Sequence, residues 1–195
     1  MDLKIFLGLL AILVGTIGYI PYFRNIFSGK TKPHVFSWLV WGILTTIAFA
    51  GQVAGKGGAG TWVTGFTALA CFTIVALSLV KGSRDFPLVD WICLLGCAVS
   101  LGFWAITDNP LTAIVLVTII DLVGFLPTFR KSYTKPNSET AFTYLMGSAK
   151  FFISLLALHE YSATTVLYPA SLVITNGLFV IMIVIRRRQL KAKSA

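Results

Sequence analysis

GYIPYFRNIF, Gly18 to Phe27, and GFLPTFRKSY, Gly124 to Tyr133, stand in opposite halves of one chain. Both read Gly, aromatic, branched aliphatic, Pro, any residue, Phe, Arg. Each closes a long apolar run, where a helix ordinarily excludes proline: the ring removes an amide donor and clashes with the carbonyl four residues earlier. A second match follows, because Thr31-Lys32-Pro33 aligns with Thr134-Lys135-Pro136 just ahead of the next apolar run in each half. Together the two matches mark an internal duplication.

The surroundings of the motif are apolar. Of 195 residues, 56% are hydrophobic and 12% charged, against roughly a quarter charged in a soluble domain. The mean hydropathy is +0.84. Several apolar runs approach about 20 residues, the length with which a helix crosses a bilayer. The period-two alternation of buried or barrel strands is absent from the sequence. The fold class expected is therefore all-α, a polytopic membrane protein with seven transmembrane helices. They are placed at residues 3–23, 35–53, 61–80, 88–106, 111–129, 141–158 and 164–185. The first is read as a span rather than a leader: Lys4 is its charged flank, no small-x-small cleavage site follows, and it carries one copy of the motif.

Charge gives the topology. Arg24, Lys30 and Lys32 follow the first span, Lys81 and Arg84 the third, and Arg130, Lys131 and Lys135 the fifth. Arg186, Arg187, Arg188, Lys191 and Lys193 follow the seventh, so most of the 16 basic residues lie on one side. By the positive-inside rule that side is cytoplasmic, which puts the N-terminus outside and the C-terminus inside. The net charge of +9 is thereby explained by topology, and no nucleic-acid partner is expected. Small size and minimal loops fit a bacterial inner membrane.

The duplication sets the domain plan: a three-helix repeat over 1–82, a linker helix over 83–108, and a second three-helix repeat with a basic tail over 109–195. With three spans per unit, the single linker span leaves both units pointing the same way, as parallel repeats. The repeated prolines, Pro21 and Pro127, have two readings. They either end the helices at the interface, with Arg24 and Arg130 snorkelling to headgroups, or break them within the membrane as a pair of hinges around a cavity.

Seven spans as three, one and three, with a proline motif closing the first helix of each unit, resemble the PQ-loop superfamily. That group includes the SWEET sugar transporters, and the PnuC vitamin transporters share the layout. The family's Pro-Gln reads Pro21-Tyr22 and Pro127-Thr128 here. The resemblance implies a cavity near mid-membrane, lined by the third helix of each unit. It also implies asparagines there, which Thr175-Asn176 supplies in the seventh span, with Cys71 at the matching place in the third.

Other candidates come from spacing. Thr64, Thr67, Cys71 and Ser78 share a narrow arc of the third span, either lining a polar cavity or packing against a neighbour. Ser37, Trp41 and Thr45 share a face of the second, with Trp38 beside them. Trp41 lies deeper than an interfacial tryptophan and is either a stacking platform or packing. Asp121 and Lys150 lie near the middle of the fifth and sixth spans, where charged side chains usually pair or face a cavity. As opposite charges on consecutive antiparallel spans, they predict an ion pair. The first half carries Gly15 and a position near Ile47 instead. Either the pair is structural, or the two residues couple transport or bind solute.

The remaining motifs are quiet. Cys71, Cys93 and Cys97 lie within spans without further convergent ligands, so neither a metal nor a cofactor is expected. Gly29-Lys30-Thr31 lacks the leading glycine of a phosphate loop, Arg24 standing in its place, and no strand precedes it. His34 and His159 sit at span ends, so no catalytic residue is assigned and no enzyme activity is expected. A retinal protein would carry its lysine in the last span, and Lys150 is in the sixth. The function expected is alternating-access transport of a small polar solute; the competing class is a membrane receptor that binds without moving its ligand. Besides solute and lipid bilayer, a homo-oligomer is compatible with the sequence, although a fused double unit can enclose a cavity as a monomer.

Overall fold

Apolar runs of helix-forming residues with no water to satisfy their backbone must close their own hydrogen bonds, and the described residues do so in seven α-helices. The computed structural model describes residues 2–29, 33, 35–81, 88–137 and 139–194. The helices are α1 (Leu3–Phe27), α2 (Val35–Ala54), α3 (Trp62–Lys81), α4 (Leu88–Thr107), α5 (Pro110–Thr134), α6 (Ala141–Leu156) and α7 (Ala163–Ser194), with a 3₁₀ turn at Gly58–Thr61. No strand occurs among the described residues. Lys30, Thr31, Lys32, His34 and Arg84, used above, lie outside the described residues.

Five helices are long and apolar enough to cross a membrane: α1, α2, α3 with its preceding turn, α5, and α7 as far as Lys191. The apolar stretches at Trp91–Thr107 in α4 and Ala141–Leu156 in α6 are shorter. At 1.5 Å per residue, α6 spans about 24 Å, less than the ~30 Å hydrocarbon core.

Local signals start the helices. The Asp2 carboxylate accepts the amide of Lys4 at 3.0 Å ahead of α1. At α5, the Asn109 side chain accepts the amide of Leu111 at 3.0 Å, and Pro110 takes the first helical position, where its missing amide costs nothing. The two motif prolines do not end their helices: α1 continues through Pro21 to Phe27, and α5 through Pro127 to Thr134. The helices run on past the expected span ends at Phe23 and Phe129 by about one to one and a half turns. Within α1 the carbonyl of Ile17 consequently has no amide donor four residues on.

In the first half α3 packs against both α1 and α2, and in the second α7 packs against both α5 and α6. Across the halves α1 packs on α6 and α5 on α2, while α4 lies against α5 and α2. Exchanging α1 with α5, α2 with α6 and α3 with α7 maps each of these pairings, α4 aside, onto another. The two core clusters obey the same exchange. One joins Ala11 of α1, Val63 of α3 and Phe151 of α6; the other joins Leu44 and Ile47 of α2, Ile114 and Val117 of α5, and Tyr168 of α7.

Both cross-half contacts close on glycine. A Cβ on Gly18 would lie 2.7 Å from Met146 Cβ, and one on Gly51 would lie 2.8 Å from Ile114 Cδ1. Between apolar helices in lipid, close backbone approach of this kind supplies the packing that burial from water supplies elsewhere.

Candidate functional site

The face of α1 that meets the other helices recurs at helical spacing: Gly15, Gly18, Tyr19, Tyr22 and Asn25. With α2, α3, α5, α6 and α7 it surrounds a cavity of about 540 Å³. The walls run from Lys150, Asp121, Thr67 and Tyr168, all well inside their helices, to Asn25, Pro33, Glu139 and Thr140 beyond or near the helix ends.

The opposite end of the bundle is tied shut by polar contacts. Lys4 Nζ donates to the Leu158 carbonyl at 2.6 Å, and Ser154 Oγ donates to the Gly60 carbonyl at 2.7 Å. The His159 amide donates to the Gly57 carbonyl at 3.0 Å, and Gln52 Nε2 to the Thr165 carbonyl at 3.1 Å. The 3₁₀ turn is thereby joined to the end of α6, and α2 to the start of α7.

Pro21, Asp121, Lys150, Asn176, Thr175, Trp41, Cys71 and Thr67 all line the cavity. Pro127 lies within α5. The polar stripe of α3 divides. Thr67 and Cys71 face the cavity, whereas Thr64 is fully buried with no hydrogen-bond partner among the described residues and Ser78 donates to the Ile74 carbonyl at 2.6 Å inside the packing. Ser37, Trp38 and Thr45 line the cavity with Trp41.

Lys150 is 4% exposed. Its Nζ donates to Thr67 Oγ1 at 2.8 Å and stands 4.8 Å from the Tyr19 ring centroid and 4.9 Å from that of Phe151. Two ring faces at this range attract an ammonium. The stem reaches this place over Gly15, where a Cβ would lie 3.1 Å from Lys150 Cδ.

The ion pair expected between Lys150 and Asp121 is not formed. Among the described residues Asp121 has neither an ion pair nor a hydrogen-bond partner. The cause is helix order: α5 and α6 each pack on α7 rather than along one another, meeting through the rings of Phe125 and Tyr144, and Lys150 turns instead to α1 and α3.

Asn176 Nδ2 donates back to the Leu172 carbonyl at 2.8 Å and Thr175 Oγ1 to the Ser171 carbonyl at 2.7 Å. The Asn176 carboxamide faces Gly147, where a Cβ would be 3.3 Å from its Oδ1. Trp41 stands edge-on to Trp38, centroids 5.2 Å apart, and Trp38 Nε1 donates to the Tyr22 hydroxyl at 3.0 Å. On the other wall Tyr144 donates to Glu139 Oε2 at 3.2 Å and packs on Phe179, centroids 4.4 Å apart.

Tyr19, Tyr22, Tyr144 and Tyr168 were missed as wall residues. For the first two the signal was present in the motif itself, since Tyr19 and Tyr22 flank Pro21 at a spacing that shares one helical face with Gly15. In both copies the motif's aromatics stack four residues apart: Tyr19 on Phe23 at 6.2 Å and Phe125 on Phe129 at 5.9 Å.

Thr67→Val keeps shape and removes the one hydroxyl that accepts from Lys150. Leaving a buried charged donor unmatched costs about 1–3 kcal/mol. A lower melting temperature in detergent is expected; a melt superimposable on that of the parent would show that Lys150 has another acceptor.

No family model matches this chain, and no curated protein or solved structure matches it either.

Proposed function

We propose that this protein is a membrane transporter that moves a small polar solute by alternating access, as a divergent relative of the PQ-loop superfamily. In this reading all seven helices cross the bilayer, as two parallel three-helix units over 1–82 and 109–195 joined by the linker helix over 83–108. The exchange of helix pairings between the halves supports the duplicated plan.

One observation carries the transport reading. A cavity whose largely apolar wall carries polar and charged side chains lies between the halves, lined by six helices, hydrogen-bonded shut at one end and bounded by connecting residues at the other. That is the form expected of a carrier resting with one gate closed. With the charge-derived orientation, N-terminus outside and C-terminus cytoplasmic in a bacterial inner membrane, the cavity faces the cytoplasm.

Pro21 and Pro127 serve as the hinges. Each removes one backbone bond at the same depth of a symmetry-related helix, which lowers the cost of bending there. Pro21→Ala and Pro127→Ala are each expected to slow solute uptake into proteoliposomes several-fold while leaving equilibrium binding within about twofold, because hinges change rates of closure. The decisive test is flux itself: uptake that saturates and shows counterflow supports a carrier. Saturable binding with no flux assigns the protein to the receptor class instead.

A further inference from the structure

Three charged side chains line the cavity: Glu139 near the helix ends at its mouth, and Lys150 and Asp121 well inside, these last two in different lobes. Lys150 sits with the cluster formed by α1, α3 and α6, its ammonium held by Thr67 and the rings of Tyr19 and Phe151. Asp121 is on α5, which packs with α2 and α7, and lines the same cavity. Neither charge meets an opposite one among the described residues. In the duplication Asp121 takes the place of Gly15, and Lys150 that of a position near Ile47. Away from the mouth, where Glu139 stands, divergence has thus put one charge of opposite sign into each lobe, both lining the cavity.

We propose that the cavity takes a zwitterionic solute, its anionic group on Lys150 and its cationic group on Asp121. This rests on the transport reading and deepens it. A neutral solute leaves both protein charges without partners in a low-dielectric site. A monoanion leaves Asp121 uncompensated, and a monocation leaves Lys150. A solute bearing both charges answers both at once and adds no net charge to the loaded carrier. Trp41, on the α2 side of the cavity, offers its ring to a cationic group there.

The test uses the full chain purified in detergent. Thermal shifts are titrated with the L-α-amino acids and glycine betaine, and beside them with amino-acid amides, the matching deaminated carboxylic acids, and neutral sugars. At least one zwitterion is expected to raise the melting temperature saturably, with its amide and its carboxylic acid each binding about tenfold more weakly or worse. In Asp121→Asn the zwitterion should fall to the level of its carboxylic acid, and in Lys150→Met to the level of its amide. The comparison of analogues needs only the parent protein, so a variant that fails to fold does not blunt it. A single-charge analogue that binds as tightly as the zwitterion, a sugar as best ligand, or no shift from any zwitterion overturns the inference. A zwitterion that binds but is not carried leaves it standing and removes transport. A neutral solute that is carried does the reverse.

Discussion

Gly60→Ala is expected to lower the melting temperature by about 10 °C, among the largest effects of any single methyl group in this chain. Its Cβ would lie 2.7 Å from the Leu158 amide nitrogen and 2.7 Å from the Ser154 carbonyl oxygen. Both are backbone atoms at the end of α6, so no side-chain rotation relieves the clash. The 3₁₀ turn must instead move off α6, which breaks the bond from Ser154 Oγ to Gly60 and strains that from the His159 amide to Gly57. Overpacking of this kind costs about 1–3 kcal/mol, and each hydrogen bond lost adds about 1 kcal/mol. For a chain of this length each kcal/mol moves the midpoint by roughly 2–4 °C.

Gly102→Ala is the control. It lies in α4 with nothing within 4 Å of a built Cβ, and alanine is the better helix former by about 1 kcal/mol, so its melt should match or exceed the parent's. Tryptophan fluorescence reads both, from the chain's 5 tryptophans. If Gly60→Ala melts with the parent, the turn does not rest on α6 as described. In proteoliposomes the same variant should leak solute, because the contact it breaks is part of the closed end.

Much of the helical layout was legible in the sequence. The starts of α2, α4 and α6 at Val35, Leu88 and Ala141 fall where the apolar runs begin. The end of α7 was not legible, since hydropathy stops near Ile185 while the helix runs to Ser194. Arg, Lys, Gln and Leu are good helix formers. Arg187 also anchors the extension, its Nη2 donating to the Glu139 carbonyl at 2.8 Å and its Nε to the Pro136 carbonyl at 3.0 Å.

Helix order was the larger loss. In a soluble bundle the apolar stripe of each helix shows which face is inward, but a face toward lipid is as apolar as one toward protein. Nothing in the runs around Asp121 and Lys150 therefore shows that α5 and α6 each pack on α7 rather than along one another. The cavity's walls were half legible. Charge near mid-span identified Asp121 and Lys150, because such residues face a partner or a cavity; Thr67 came from the polar arc of the third span, with packing as the alternative, and Asn176 from the family resemblance. Tyr168 escaped because an aromatic residue in an apolar run carries no such signal, whereas Tyr19 was signalled only by its place in the motif, on one helical face with Gly15. Ser78 was the converse, polar yet packed, since a hydroxyl one turn from a carbonyl satisfies itself within the helix; Thr64 is packed as well, with no hydrogen-bond partner among the described residues.

Lys150→Met is expected to raise the melting temperature while abolishing solute uptake. An ammonium near mid-bilayer costs about 2.5–3.5 kcal/mol on insertion scales. In the empty protein one hydroxyl and two ring faces offset that, and no carboxylate does so among the described residues. Methionine fills similar space over Gly15 and carries no charge to desolvate. A residue kept for stability would show the opposite sign: breaking a buried ion pair leaves a stranded charge and costs about 3–5 kcal/mol. The direction of the melting shift therefore separates a lysine held for its ligand from one held for the fold. Combining Lys150→Met with Thr67→Val sharpens the test. Once no ammonium needs an acceptor, Thr67→Val should lose most of its own penalty, a non-additivity expected of groups in direct contact. A Lys150→Met protein that melts lower and still transports at the parent's rate would make the lysine a structural strut and take the substrate assignment down with it.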